Sequence, residues 1–196
     1  MRQLLRLGVV TALAVSGLSG CASGGAVGQP SAPPASSGVA SSPAVSSTPS
    51  ASRKMYLLGP HGYGPLKLHM TAQAAMGTGL ITTLPSSVGC DTTQLVGAQE
   101  ASSGHDLDGK VFVSALGVIA IYAYPGVVTP QGIGIGSTYQ AVHAAYPDWD
   151  PIAGEGNNGR GSAAVPGNPN ARFRIVITNG SVLEISLDSN KQNCYE

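Results

Sequence analysis

The chain has 196 residues, 42% of them hydrophobic and 10% charged, with ten Lys/Arg balanced by ten Asp/Glu. That balance is uneven along the chain: Arg2 and Arg6 stand at the start, whereas residues 54–196 hold seven Lys/Arg against ten Asp/Glu. An acidic excess without a basic cluster excludes nucleic acid as a partner.

Arg2 and Arg6 flank the start of an apolar run from Leu7 to Leu18, which leads into Ser19-Gly20-Cys21. A charged start, a short apolar core and small residues before a cut make residues 1–20 a secretory signal peptide. The run falls short of the roughly 20 residues a membrane-spanning helix needs. Leu18-Ser19-Gly20-Cys21 resembles the lipobox of bacterial lipoproteins. The resemblance implies that the Cys21 thiol is joined to diacylglycerol, that the signal is cut before it, and that membrane lipid is a partner. Two acyl chains hold a protein stably, where one does so only marginally. The expected location is the extracytoplasmic face of the cell membrane. The competing readings are an ordinary thiol behind a plain signal peptide and an uncleaved anchor.

Residues 22–53 are almost entirely Ala, Ser, Pro, Gly, Val and Thr, with no charge before Arg53. Such a segment buries too little surface to offset its chain entropy, so residues 21–53 read as a lipidated Cys and a disordered tether. The tether would span roughly 30 Å as a coil and about 100 Å fully extended. Ser46-Ser47-Thr48-Pro49 also fits a glycosylated stalk. Residues 54–196 are then one domain of ordinary size.

Beyond Cys21 the chain has two cysteines, Cys90 and Cys194. Outside the membrane they should be oxidised, and only one intramolecular pairing is available. It would close a loop of about 100 residues, for which the chain-entropy relation gives about 4–5 kcal/mol. The rival role of nucleophile or metal ligand finds no nearby His and no ligand spacing.

The domain repeats itself. Residues 66–74, LKLHMTAQA, align with residues 133–141, IGIGSTYQA, at an offset of 67 positions. Each copy reads as an extended piece, a turn and a helix start. Thr71 can cap the first helix. In the second copy Ser137 and Gln140 have capping-box spacing, with Thr138 as the alternative cap. The second helix runs from about Thr138 to Ala145 and stops before Pro147. The first should end near Gly77 and Gly79. Strands are expected at Thr92–Glu100, Val111–Ser114 and Val118–Tyr124, with a hairpin turn at Asp108-Gly109. In the second half they are expected at Gly161–Val165, Arg172–Thr178 and Ser181–Leu187, the last two joined by an Asn179-Gly180 turn. The fold class is therefore α+β: two tandem helix-plus-antiparallel-meander repeats, about 54–128 and 129–196, with helices packed on one face of the sheet.

Alternation assigns the faces. Ile119, Ile121, Ala123, Phe173, Ile175, Ile177, Leu183, Ile185 and Leu187 should face the helices. Phe112, Val118, Tyr122, Tyr124, Arg172, Arg174, Glu184 and Ser186 should lie opposite. The second set mixes aromatic and charged groups, as protein-recognition surfaces do. A solvated face whose tyrosines cover neighbouring strands is the bland alternative.

The doubled extended-turn-Thr-x-Gln-Ala unit with its cysteine-bearing strand and hairpin resembles the beta-lactamase inhibitory protein fold. It is also similar to the helix-plus-meander unit of outer-membrane assembly lipoproteins of the SmpA/OmlA type. The likeness covers about residues 63–194. The family's Gly-Met-Thr helix start stands here as His69-Met70-Thr71 and Gly136-Ser137-Thr138, with one substitution in each. The low charge and the abundant Gly and Ala resemble actinobacterial-type lipoproteins. The inhibitor grips its target with the concave face of its sheet, which points to Phe112, Tyr122, Tyr124, Arg172, Arg174 and Glu184 as a binding face. Inhibition of a beta-lactamase is not itself implied.

No catalytic residue, metal site or cofactor is read from the chain. His61, His69, His105 and His143 show no paired ligand spacing and fit surface or satisfied roles. Asp106-Leu107-Asp108-Gly109 lacks the later ligands of a calcium loop and fits turn chemistry. Residues 132–136, GIGIG, lack the context of a nucleotide site. Trp149 fits a lid on the core. The reading is a noncatalytic binding domain for an envelope protein or wall component. The alternative is an accessory factor or enzyme of envelope metabolism with a site assembled from distant residues.

Overall fold

The computed structural model describes residues 54–84 and 89–195. The signal peptide, Cys21 and the tether assigned to residues 1–53 lie outside the described residues.

The Gly/Pro-rich lead-in folds into a small antiparallel sheet of β1 (Leu58–Gly59), β2 (Gly62–Tyr63) and β3 (Leu66–Lys67). Leu58, Tyr63 and Leu66 are buried, which fixes these short strands by side-chain burial more than by their few ladder bonds. Helix α1 (Ala72–Gly77) follows, and the Thr71 hydroxyl accepts from the Ala74 backbone N–H at 3.2 Å. It stops at Gly77, as the glycines lead one to expect.

The strand expected over Thr92–Glu100 is corrected. Only β4 (Asp91–Gln94) is extended, and α2 (Ala98–Ala101) forms in its second half. Gly97 sits at φ 95° and turns the chain, and the Ala-Gln-Glu-Ala that follows consists of good helix formers. Asp108-Gly109 is a turn, with Gly109 at φ 66°, but it closes a long loop after α2 and no tight hairpin. The Asp108 carboxylate, itself buried, gathers that loop by accepting from the Ser102 hydroxyl and from the Ser103 hydroxyl and backbone N–H at 2.7–2.9 Å.

Next come β5 (Lys110–Ser114), β6 (Gly117–Tyr122) and α3 (Tyr139–Ala145). Thr138 is the α3 cap, accepting from the Ala141 N–H at 3.1 Å, while the Ser137 hydroxyl accepts from Gly134 N–H instead. Strand β7 (Asp150–Glu155) was not anticipated. Strands β8 (Asn158–Ala164), β9 (Ala171–Thr178) and β10 (Ser181–Ser189) complete the chain. Asn179 at φ 51° and Gly180 at φ 76° make the β9–β10 turn, which needs positive φ at both positions.

The seven longer strands form one antiparallel sheet in the order β4-β5-β6-β10-β9-β8-β7. The fold is α+β and mostly sheet; the helices are short, at six, four and seven residues. The core combines Val111, Ile121, Phe173, Ile175, Ile185 and Leu187 from the sheet with Ala75 of α1, Val142 of α3 and the β1–β3 residues. Trp149 is part of it. Two β-bulges alter the expected faces. The register shifts at Val182/Glu184, so Val182 enters the core and Leu183 is left half-buried. A second shift at Phe112/Val113 pairs Val113 with Val118, which joins the core. Each bulge inserts one residue, and a one-residue slip reverses the side a residue faces.

Cys90 and Cys194 form a disulfide, with Cα atoms 5.5 Å apart and 104 positions between them in sequence. It ties the chain ahead of edge strand β4 to the tail beyond β10.

A covered sheet face and an open polar cleft

The far face of the sheet gathers Phe112, Tyr122, Arg172, Arg174, Glu184, Ser186 and Asp188 by register. Tyr122 pairs with Ser186 and Ser186 with Arg174, while Ala120 pairs with Asp188 and Asp188 with Arg172. Tyr124 does not belong to this group. It lies in the core, 4% exposed, with its hydroxyl 3.1 Å from that of Tyr63. Strand β6 ends at Tyr122, so alternation no longer governs the residues after it.

The face is not open. Tyr195, in the tail held by Cys194, lays its ring 4.9 Å from Phe112 and 6.2 Å from Tyr122, centroid to centroid. Tyr122 is only 2% exposed. The Arg174 Nη1 donates to the Tyr122 hydroxyl at 3.1 Å and to Glu184 Oε2 at 3.0 Å, and its guanidinium lies 5.8 Å from the Tyr195 ring centre. His105 Nε2 lies 3.5 Å from Glu184 Oε1. The expectation of an exposed aromatic surface is thereby corrected: the mixed composition belongs to a polar layer under a strap.

Asp188 is the electrostatic centre of that layer. Its Oδ1 accepts from the Ser186 hydroxyl at 2.7 Å and from the Tyr195 hydroxyl at 3.0 Å. Its Oδ2 has no hydrogen-bond partner among the described residues. Burial pushes its carboxyl above the ordinary range, against the opposing pull of those two hydrogen bonds and of Arg172 and Arg174. Burial and the nearby Asp188 charge likewise hold the Tyr195 phenol far above its usual value. Burial raises Tyr122 as well. For Arg174 burial works downward, but Tyr122 and Glu184 outweigh it and the guanidinium stays charged.

The open feature lies elsewhere. A cleft of about 610 Å³ is lined by His61, Lys67, Leu68, His69, Leu116, Asn168, Asn170, Ser189, Asn190 and Lys191. That volume is within the range of small-molecule sites. Its walls are tied together. Asn168 Nδ2 donates to the Pro60 carbonyl at 2.7 Å, Leu68 N–H to His61 O at 2.9 Å, and Asn190 N–H to Asn170 O at 3.0 Å. His69 Nε2 and Ser189 Oγ, from two of its lining segments, are 3.3 Å apart. Spacing along the chain gives no sign of this cleft, because its residues come from four separated segments.

Among the described residues no group of three or more His, Cys, Asp and Glu could hold a metal ion, and no helix is long and apolar enough to cross a membrane. No family model, no curated protein and no solved structure matches the chain.

Proposed function

We propose that the chain is a lipid-anchored protein of the extracytoplasmic membrane face, held by Cys21, whose domain binds an envelope component without catalysis. The cleft bounded by residues 61–69, 116, 168–170 and 189–191 carries the binding reading. It is large enough for a small polar group, and hydrogen bonds tie its lining segments in place. The Tyr122 and Arg174 face supports it less well, since Tyr195 lies over it. A wall component fits the cleft's size better than a protein partner does. The enzyme alternative draws on His61 and His69 in the same cleft.

We also propose that the two halves are tandem copies, in keeping with the likeness to the beta-lactamase inhibitory protein fold. Thr71 and Thr138 cap their helices through the same third-residue N–H, at the offset of 67 positions. His69 and Gly136 occupy equivalent places and both have positive φ, 65° and 85°.

Sedimentation with isolated wall sacculi tests the binding reading. The full chain should pellet with them, and Leu116→Trp, which fills the cleft from an exposed position, should abolish this. Cys21→Ala should release the protein from membranes and leave sacculus binding intact. Unchanged pelleting of Leu116→Trp would remove the cleft from the function. Steady release of soluble wall fragments would replace the binding reading with the enzyme one.

A further inference from the structure

The geometry points to a phosphorylated sugar or polyol as the ligand of this cleft, with Lys67 and Lys191 meeting the phosphate and His69 fixed beside them. This inference rests on the binding reading above and names its ligand class. The lining holds two lysines and two histidines but no Asp or Glu, in a domain whose acids outnumber its bases. A uniformly non-acidic wall with low-dielectric sides attracts anions. The cations are lysines, with no arginine in the lining. Lysine meets phosphate as a compact point charge, whereas planar carboxylate recognition favours the arginine fork. Asn170 and Asn190, both exposed, supply amides for ligand hydroxyl groups, and Leu68 and Leu116 offer an apolar wall to a sugar's C–H face.

His69 provides the independent observation. Its backbone sits at φ 65°, a conformation costly for any residue with a Cβ. The matching position of the second half, Gly136, meets the same demand with glycine. The strain at His69 is enforced from both sides. Its N–H donates to Val118 O at 2.7 Å, and the Val118 N–H donates to Met70 O at 2.8 Å. Gly117 leaves no slack, since a Cβ there would come within 2.5 Å of Met70 O. A glycine at position 69 would remove the strain and also remove the imidazole from the cleft. The chain keeps the imidazole. Backbone strain of this kind gathers at ligand sites.

Calorimetric titration of the full chain in mild detergent at low salt tests this, with glucose 6-phosphate, glucose, inorganic phosphate and phosphatidylglycerol vesicles as probes. Glucose 6-phosphate should bind saturably, at least tenfold more tightly than glucose or inorganic phosphate, and more weakly as salt is added. Lys67→Ala with Lys191→Ala should weaken it at least tenfold without lowering the melting temperature, because both lysines are exposed. His69→Gly should melt higher than the parent and bind the sugar phosphate more weakly. Equal binding of glucose, or binding unchanged in the lysine variant, would overturn the phosphate assignment. Inorganic phosphate binding as tightly would overturn the sugar part, and response to the vesicles alone would make the source a lipid headgroup. If glucose 6-phosphate does not bind while sacculi still pellet the chain and Leu116→Trp does not, this inference fails and the binding reading stands. If both fail, so does the reading beneath.

Discussion

Replacing Cys90 and Cys194 with Ser together opens a covalent loop 104 positions long. The chain-entropy relation assigns a loop of that size about 4.7 kcal/mol at 25 °C. Unfolding entropy of about 2.1 cal/mol/K per residue gives residues 54–196 about 0.3 kcal/mol/K, so the melting temperature should fall by about 15 °C. The loss has a second component in the folded state. The freed tail carries Tyr195, whose ring covers Phe112 and Tyr122 and whose hydroxyl bonds Asp188. Differential scanning calorimetry of the full chain measures the sum, with Cys21 retained in both proteins. Tyr195→Ala in the disulfide-bonded protein isolates the second part. A double-Ser variant melting within about 4 °C of the parent would refute the loop-closure argument. A Tyr195→Ala variant as stable as the parent would refute the strap's contribution.

Thr138→Ala removes the α3 cap and should cost about 1 kcal/mol, read as a lower urea midpoint at unchanged slope. Gly117→Ala combines φ 87° with a Cβ driven to 2.5 Å from Met70 O, and should lose more than about 1 kcal/mol. Stability equal to the parent would mean that the 69–70 segment can move away. Asp188→Asn tests the pH linkage. The folded carboxyl binds its proton more tightly than the unfolded one, so this group's contribution to stability falls as pH rises above about 4. The variant lacks that decline. The parent-minus-variant stability difference should therefore shrink or turn negative between about pH 3.5 and 7. A difference that stays flat, or grows with pH, would contradict the raised carboxyl.

The parts of the fold readable from sequence are those fixed by local chemistry. Asn179-Gly180 can adopt the paired positive φ of a tight turn, Thr71 and Thr138 are caps, and the two cysteines beyond Cys21 have one way to pair with each other. What escaped was non-local. Strands β1–β3 are two residues each and hold their shape through burial against distant partners. Residues 98–101 helicise behind a left-handed glycine inside a stretch that alternation had made a strand. The two bulges exchanged Val182 for Leu183 and drew Val118 inward, which no strict period of two could foresee. The cleft was out of reach because its lysines are 124 positions apart in the chain, at 67 and 191.

The outer edge of β7 has a bearing on life in a crowd. A sheet edge offers unpaired backbone groups to any other edge it meets. Crowding brings such edges together often, whatever holds the copies close. Pro151 withholds a donor from that edge, the bulge at Ile152 bends it, and Asp150 and Glu155 place like charges at its ends. Ile152 itself is 74% exposed, yet it sits on the kinked stretch, where a second strand cannot lie flat. The opposite edge, β4, is four residues long and begins next to the disulfide. Both borders of the sheet are thus made poor templates, and neighbouring copies can crowd together without zipping edge to edge.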